Sequence, residues 1–271
     1  MFKLITDSGT NFPESYLNEH PEIEVLNLPI TFDEKDISDM DIDVFYKVGF
    51  STEILPKTSQ ISPQGYVDCF SKYKDADAIL YISLASGLSG TYNSACLAKN
   101  ILADEDDMPP IYIWDSQTAA VKQSLLVDIA YDMIQSGENI ENILNKLEDA
   151  RDKIVFYAVI EDLDFLCKGG RLSKTAATAA CVLNIKPIIT VEGGKVKVLE
   201  KIRGSKRTIA FMREHIDEEN IAKMFMICGE ESKDYDALVE SLTVPFIEEK
   251  IQKTIGTYTG PKVFGYAYIR K

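Results

Sequence analysis

"AILYISLASGLSGTYNSACLAKNIL", residues 78–102, is the stretch whose reading decides the fold class. It opens on "AILYISL", a continuous apolar run of strand length, and ends on "SACLAKNIL", which has helical character. A buried strand that passes into a helix through a short polar turn is the repeating unit of α/β layers. The turn, "SLASGLSGTYNSA" at 83–95, crowds Ser83, Ser86, Ser89, Thr91, Asn93 and Ser94 around Gly87 and Gly90. Ordinary turn chemistry uses such residues. The same hydroxyls ahead of a helix also suit an anion cradle, because helix N-termini favour negative charge. The turn lacks the Lys-Ser/Thr end of a phosphate-binding P-loop, so nucleotide binding is not supported.

The alternation continues on both sides. "MFKLIT" reads as a buried strand broken by "DSGTNFP", and "IEVLNLPITF" as one or two more. A helix is expected from about Asp39, another in "SPQGYVDCFSKY" with Pro63 in its first turn, and a strand in "PPIYIWDS". "QTAAVKQSLLVDIAYDMIQSG" reads as a long amphipathic helix ended by Gly137, and "IENILNKLEDAR" as a further helix. The second half has a strand in "KIVFYAVI", a small-residue helix after "KGGRLSK", and a hairpin closed by Gly193-Gly194. A helix over about 205–218, a strand, a helix and a terminal strand pair around "TGPKVFGYAYI" complete it. The expectation is two α/β domains. The first, 1–152, has a mainly parallel sheet, and the second, 153–271, a mixed one.

Composition narrows the function classes. The chain has 271 residues, 45% of them hydrophobic, enough to bury a core without disulfides or a metal. Its net charge of −14 disfavours nucleic acid, which demands a concentrated basic face. The densest basic stretch, "KIRGSKR" at 201–207, reads as a solvated helix start. Cys69, Cys96, Cys167, Cys181 and Cys228 are odd in number, form no CxxC and mostly sit among apolar neighbours. Buried free thiols in a reducing compartment follow as the expectation. With no signal peptide or membrane span legible, the expected location is the cytoplasm, without stable membrane insertion.

Four motifs carry candidate chemistry. "ITDS" (5–8) and "IWDS" (113–116) both place Asp-Ser at a strand end, where open sheets line their ligand crevices. Each also reads as a helix cap or Asx turn. In "KTSQIS" (57–62), capping ahead of Pro63 explains Ser62 but leaves Thr58 and Ser59 unexplained. In "KGGRLSK" (168–174), the glycines allow left-handed backbone and Arg171 suits a carboxylate or phosphate. Only His20 and His215 exist, and no GxSxG elbow or His/Cys metal cluster is visible, so a catalytic triad and a metal centre lack raw material. Mg²⁺ held by Asp7 or Asp115 in a phosphohydrolase, and a lipid-sensing regulatory module, remain as alternatives.

Taken together and in order, "ITDSGTNFP", "PKTSQISP", "SLASGLSGTYNSA", "WDSQTAA", "LDFLCKGGRLSK" and "LNIKPIITVEGGKV" resemble the DegV family of bacterial fatty-acid-binding proteins. The resemblance implies a long-chain fatty acid in an apolar tunnel between two domains. It implies no cofactor and no catalysis by the chain itself. The carboxylate-binding residues would be Thr58 and Ser89, with Ser59, Gly90, Asn93, Arg171 and Tyr258 as helpers. It also implies presentation of the acid to a separate fatty acid kinase subunit, whose acyl-phosphate product feeds phospholipid synthesis. The segment "GTYTGPKVFGYAY" departs from the family pattern. Tyr258 stands where a carboxylate-binding His is usual, and Lys262 replaces a glycine. A tyrosine donates a hydrogen bond but, uncharged near neutral pH, gives no imidazolium pairing.

Overall fold

A computed structural model describes residues 2–50, 54–173 and 184–271. Along the first half run β1 (Lys3–Asp7), α1 (Glu14–Glu19), β2 (Ile23–Leu26), β3 (Ile30–Phe32), β4 (Lys35–Asp36), α2 (Ile42–Gly49), β5 (Lys57–Thr58) and α3 (Pro63–Phe70). There follow β6 (Ile79–Ser83), α4 (Thr91–Ile101), β7 (Ile111–Asp115), α5 (Ala120–Gln135) and α6 (Ile140–Lys153). The second half holds β8 (Val155–Ile160), α7 (Asp164–Lys168), β9 (Ile185–Glu192), β10 (Lys195–Arg203) and α8 (Ser205–Glu214). It ends with β11 (Ile221–Cys228), α9 (Lys233–Glu240), β12 (Ile247–Lys250), α10 (Lys253–Thr259) and β13 (Val263–Arg270).

Strands β2-β1-β6-β7 form a sheet in which every pairing is parallel. The fully buried "ILYIS" of β6 lies inside it, as a continuous apolar run requires when helices cover both faces. A small antiparallel sheet, β4-β3-β5, pairs Ile30 with Thr58. The third sheet, β10-β9-β8-β13-β11-β12, is mixed: only β11 and β12 run parallel. The fold is therefore α/β, with a parallel sheet followed by a mixed one.

Helix α5 differs from its sequence reading. It packs on β1 of the parallel sheet and on β8, β11 and β13 of the mixed sheet. Val121, Leu125, Leu126, Val127 and Ala130 are consequently all buried, together with the polar Gln123 and Ser124. A helix held between two sheets has no solvated stripe, so it is apolar on most sides rather than amphipathic. It ends at Gly137, whose φ of 77° allows the Gly137 and Glu138 amides to reach the carbonyls of Ile134 and Met133. One apolar cluster runs from Leu4 and Leu80 through α5 to Phe156, Ile189 and Phe225, joining both sheets. Each large side chain buried there contributes roughly 1.5–3 kcal/mol.

The hairpin at Gly193-Gly194 is present, with φ of 56° and 72° as a two-residue turn requires. The expected terminal strand pair is instead helix α10 followed by the single strand β13. β13 is flanked by β8 and β11, so its partners come from elsewhere in the chain. Of the cysteines, Cys69 is buried, whereas Cys96, Cys167 and Cys228 are half-buried. Cys181 and the expected small-residue helix after Ser173 lie outside the described residues.

Candidate functional site

The carboxyl ends of β1, β6 and β7 converge, and the two Asp-Ser motifs serve the turn between them. Asp7 is fully buried and accepts hydrogen bonds from Gly9 N (2.9 Å), Leu84 N (2.8 Å), the Tyr81 hydroxyl (2.5 Å) and Gln123 Nε2 (3.2 Å). Burial pushes this carboxyl up, against the downward pull of those four donors. Asp115 accepts from Ser86 N at 3.1 Å, Gln117 N at 2.9 Å and the Ser86 hydroxyl. Each carboxylate thereby fixes one side of the turn after β6. Among the described residues, no group of three or more His, Cys, Asp or Glu side chains is placed to hold a metal ion.

The turn itself is held from three directions. A Cβ on Gly87 would lie 2.4 Å from the Gly194 carbonyl oxygen, so glycine lets the hairpin tip rest on the turn. A Cβ on Gly90 would lie 1.8 Å from Gln60 Oε1. Gln60 donates from Nε2 to Ser94 Oγ at 3.0 Å, which locks the "TSQ" segment to the first turn of α4. The third hold is Arg171, which donates from Nε to the Leu88 carbonyl at 3.0 Å and from Nη1 to the Gly169 carbonyl at 2.6 Å.

The glycine pair of "KGGR" has two separate physical causes. Gly170 has a φ of 75° and closes α7, its amide reaching Cys167 O while the Arg171 amide reaches Leu166 O. At Gly169 the obstacle is a ring: a Cβ would lie 2.4 Å from Tyr258 Cδ1. The Arg171 guanidinium then stacks 4.3 Å from the centre of the Tyr258 ring. The Tyr258 hydroxyl is 2.7 Å from Thr58 Oγ1.

Below these groups lies a narrow cavity whose walls are almost wholly apolar. Its polar end carries Thr58, Ser89, Arg171 and Tyr258. Its floor is the mixed sheet, where Phe156 and Ala158 on β8 and Ile189 and Val191 on β9 face the same way through the two-residue strand period. Leu84, Ala119 and Ala120 close it from the parallel-sheet side. Among the described residues Arg171 is the one charged side chain on its lining.

Thr58, Ser89, Arg171 and Tyr258 are thus brought together from four separate segments. Ser89, rather than Ser86 or Thr91, lines the cavity: Ser86 turns to Asp115, and buried Thr91 sits 2.8 Å from Ser89 Oγ. Ser59 and Asn93, expected as helpers, are exposed and do not line it. Their neighbours take the inward positions, because Thr58 pairs with Ile30 in the small sheet and Ser94 is buried on α4. Gly90 contributes the close fit to Gln60 rather than a lining surface. Neither Asp7, Asp115, His20 nor His215 reaches the cavity. Gln60 and the lining hydroxyl of Thr254 escaped sequence reasoning. Gln60 stood inside a quoted motif, whereas Thr254 had no local signal.

These features define an α/β protein with a narrow apolar cavity capped by hydroxyls and one arginine. The chain belongs to the DegV family: the family model described as "Uncharacterised protein, DegV family" matches residues 1–271. It is 33% identical over 279 residues to a DegV domain-containing protein of Clostridium acetobutylicum, covering 99% of this chain and 98% of that one. It is 30% identical over 284 residues to a fatty acid-binding protein of Thermotoga maritima, covering 97% and 96%. The fold also matches the crystal structure of DegV, a fatty acid binding protein from Bacillus subtilis, with a TM-score of 0.87, 27% identity and coverage of 100% and 99%. No helix among the described residues is long and apolar enough to cross a membrane.

Proposed function

We propose that the chain binds one long-chain fatty acid, its tail in the apolar cavity and its carboxylate at Thr58 and Ser89. The observation that carries this reading is the donor surplus at the polar end. Thr58 and Tyr258 bring two hydroxyl hydrogens to a contact that uses one, and Ser89 and Thr91 do the same. Arg171 has five N–H groups and spends two on backbone carbonyls. A carboxylate is acceptor-only, so it complements this set, and charge-assisted hydrogen bonds offset its desolvation. The absence of any acidic residue from the described lining, in a chain of net charge −14, supports an anionic head group. The bound acid is then presented to a separate ATP-dependent kinase subunit, which forms the acyl-phosphate used for phospholipid synthesis. The chain acts as carrier and not as catalyst.

Two measurements test this. Solvent extraction of the purified chain, followed by mass spectrometry, should release fatty acid. The double substitution Thr58→Ala, Ser89→Ala should weaken fatty-acid binding by roughly 2–5 kcal/mol. Unchanged affinity in the double variant would remove the head-group assignment. For presentation, the loaded chain should support acyl-phosphate formation when mixed with a fatty acid kinase catalytic subunit and ATP.

A further inference from the structure

The contact between Thr58 and Tyr258 joins two elements whose spacing is set on the other side of α10. Lys253, the first residue of that helix, donates from Nζ to the Ser38 carbonyl and, at 2.5 Å, to the Met40 carbonyl. It does not line the acyl cavity, and it lines instead a second cavity of mixed character together with Asn27 and Ser38. Any influence of Lys253 on a ligand in the acyl cavity must therefore pass through other residues.

The segment that Lys253 grips is bonded to the small sheet that carries Thr58. Ser38 Oγ accepts the Ile30 amide at 2.9 Å, and the Ile30 carbonyl accepts the Ile37 amide at 2.8 Å. Ile30 pairs with Thr58, and the neighbouring Ser59 amide reaches the Pro29 carbonyl at 3.0 Å. On the helix side, α10 runs from Lys253 to Tyr258, with Gly256 N on Gln252 O and Gly260 N on Gly256 O. The contacts form a closed ring: Lys253, Ser38, Ile30, Thr58, Tyr258 and back along α10. Other holds on this segment end elsewhere. Asn11 Oδ1 accepts the Gln252 amide at 2.7 Å, the Tyr46 hydroxyl donates to the Ile251 carbonyl at 2.8 Å, and Ser8 meets Thr254. None of those three partners belongs to the small sheet.

Hydrogen bonds weaken steeply as distance and angle depart from their optimum. The Thr58–Tyr258 pair thus keeps one hydroxyl hydrogen for a carboxylate only while its two oxygens stay together. We propose that Lys253 is a positioning residue for the head group: by tying α10 to the small sheet, it holds Tyr258 against Thr58. The inference rests on the fatty-acid reading above and adds to it a residue outside the cavity.

The test uses the delipidated full chain with octadecanoic acid and octadecan-1-ol, which share a tail and differ in head group. Both are measured in competition with a fluorescent fatty acid, and the quantity read is the ratio of affinities, acid over alcohol. Lys253→Met keeps the aliphatic stem and removes the donors. It should lower the ratio about threefold, an effect in the range found for residues of one network. Lys253→Gln, which shortens the reach to the two carbonyls, is read in parallel, so the comparison survives the loss of one variant. On a Tyr258→Leu background, which has neither the hydroxyl nor the ring, Lys253→Met should leave the ratio unchanged. A general loosening of the fold would lower both affinities and leave the wild-type ratio in place, and that result overturns the inference. An equal fall on both backgrounds also overturns it, since the Lys253 charge would then act on the carboxylate directly. If either occurs while Thr58→Ala with Ser89→Ala still weakens octadecanoic acid binding, the fatty-acid reading stands. Failure of the wild-type chain to bind octadecanoic acid overturns both.

Discussion

The Tyr258 hydroxyl lies 2.7 Å from Thr58 Oγ1, a contact between residues 200 positions apart in the chain. The same ring carries the Arg171 guanidinium on its face. One side chain thus orients both a hydroxyl and a cation of the polar end. Tyr258→Phe removes the hydroxyl and keeps the stack, so fatty-acid affinity should fall up to about tenfold. Tyr258→Leu removes both and should cost more, since Arg171 loses its support. Isothermal titration of the two variants with one fatty acid checks the order; equal losses would show that the stack contributes nothing.

Gly87 and Gly90 sit at two very different close approaches. A methyl group on Gly87 meets the Gly194 backbone carbonyl, which cannot swing away. On Gly90 it meets the end of the Gln60 side chain, which can rotate at the expense of its bond to Ser94. Gly87→Ala should therefore lower the thermal midpoint, with a cost of about 1–3 kcal/mol from overpacking. Gly90→Ala should disturb stability less and ligand affinity more, because it loosens the "TSQ" segment that carries Thr58. Thermal unfolding and ligand titration, run on both variants, separate the two effects.

Asp7 is a structural carboxylate, and Asp7→Asn should show it. An amide has one acceptor oxygen, so donors now served by the second oxygen lose their partner inside the core. Leaving one buried donor unmet costs about 1–3 kcal/mol, and two are at stake. Chemical denaturation should report a large loss of stability. A stable Asp7→Asn chain that has lost hydrolysis of a generic phosphoester with Mg²⁺ would instead favour a catalytic role.

Lys186 gives a pH signature. Its Nζ is 2.7 Å from Glu161 and 2.8 Å from Asp234. Burial alone pulls this ammonium down, but the two carboxylates outweigh it and hold the group above the ordinary lysine value of 10.5. A folded pKa above the unfolded one means the stabilisation is complete below the unfolded value. It is lost as pH rises through the folded one. The wild-type thermal midpoint should therefore fall more steeply than that of Lys186→Met once pH passes the ordinary lysine range. Parallel alkaline limbs for the two proteins would refute this contribution.

Much of the polar end was legible as motifs. "KTSQIS", "SLASGLSGTYNSA" and "KGGRLSK" each contain a residue that lines the cavity, because strand-to-helix turns and helix ends have local sequence signatures. Which residue of each motif faces inward was less legible. Ser59 and Asn93 share the polarity of Thr58 and Ser89, and only sheet pairing and helix phase send them to solvent. The two Asp-Ser motifs marked the right sheet edge, yet their carboxylates hold turns.

By itself the sequence determined the alternation of strands and helices, the parallel first sheet, the hairpin at Gly193-Gly194 and the set of turns from which the polar end is built. Those features follow from periodicity and turn chemistry, which act over a few residues. Tertiary structure alone decided that α5 is buried between two sheets, that Gln60 fills the space beside Gly90, and that Ser8 meets Thr254 across 246 positions. Such contacts depend on how separated elements pack, and a side chain's neighbours across a core leave no mark on its neighbours in sequence.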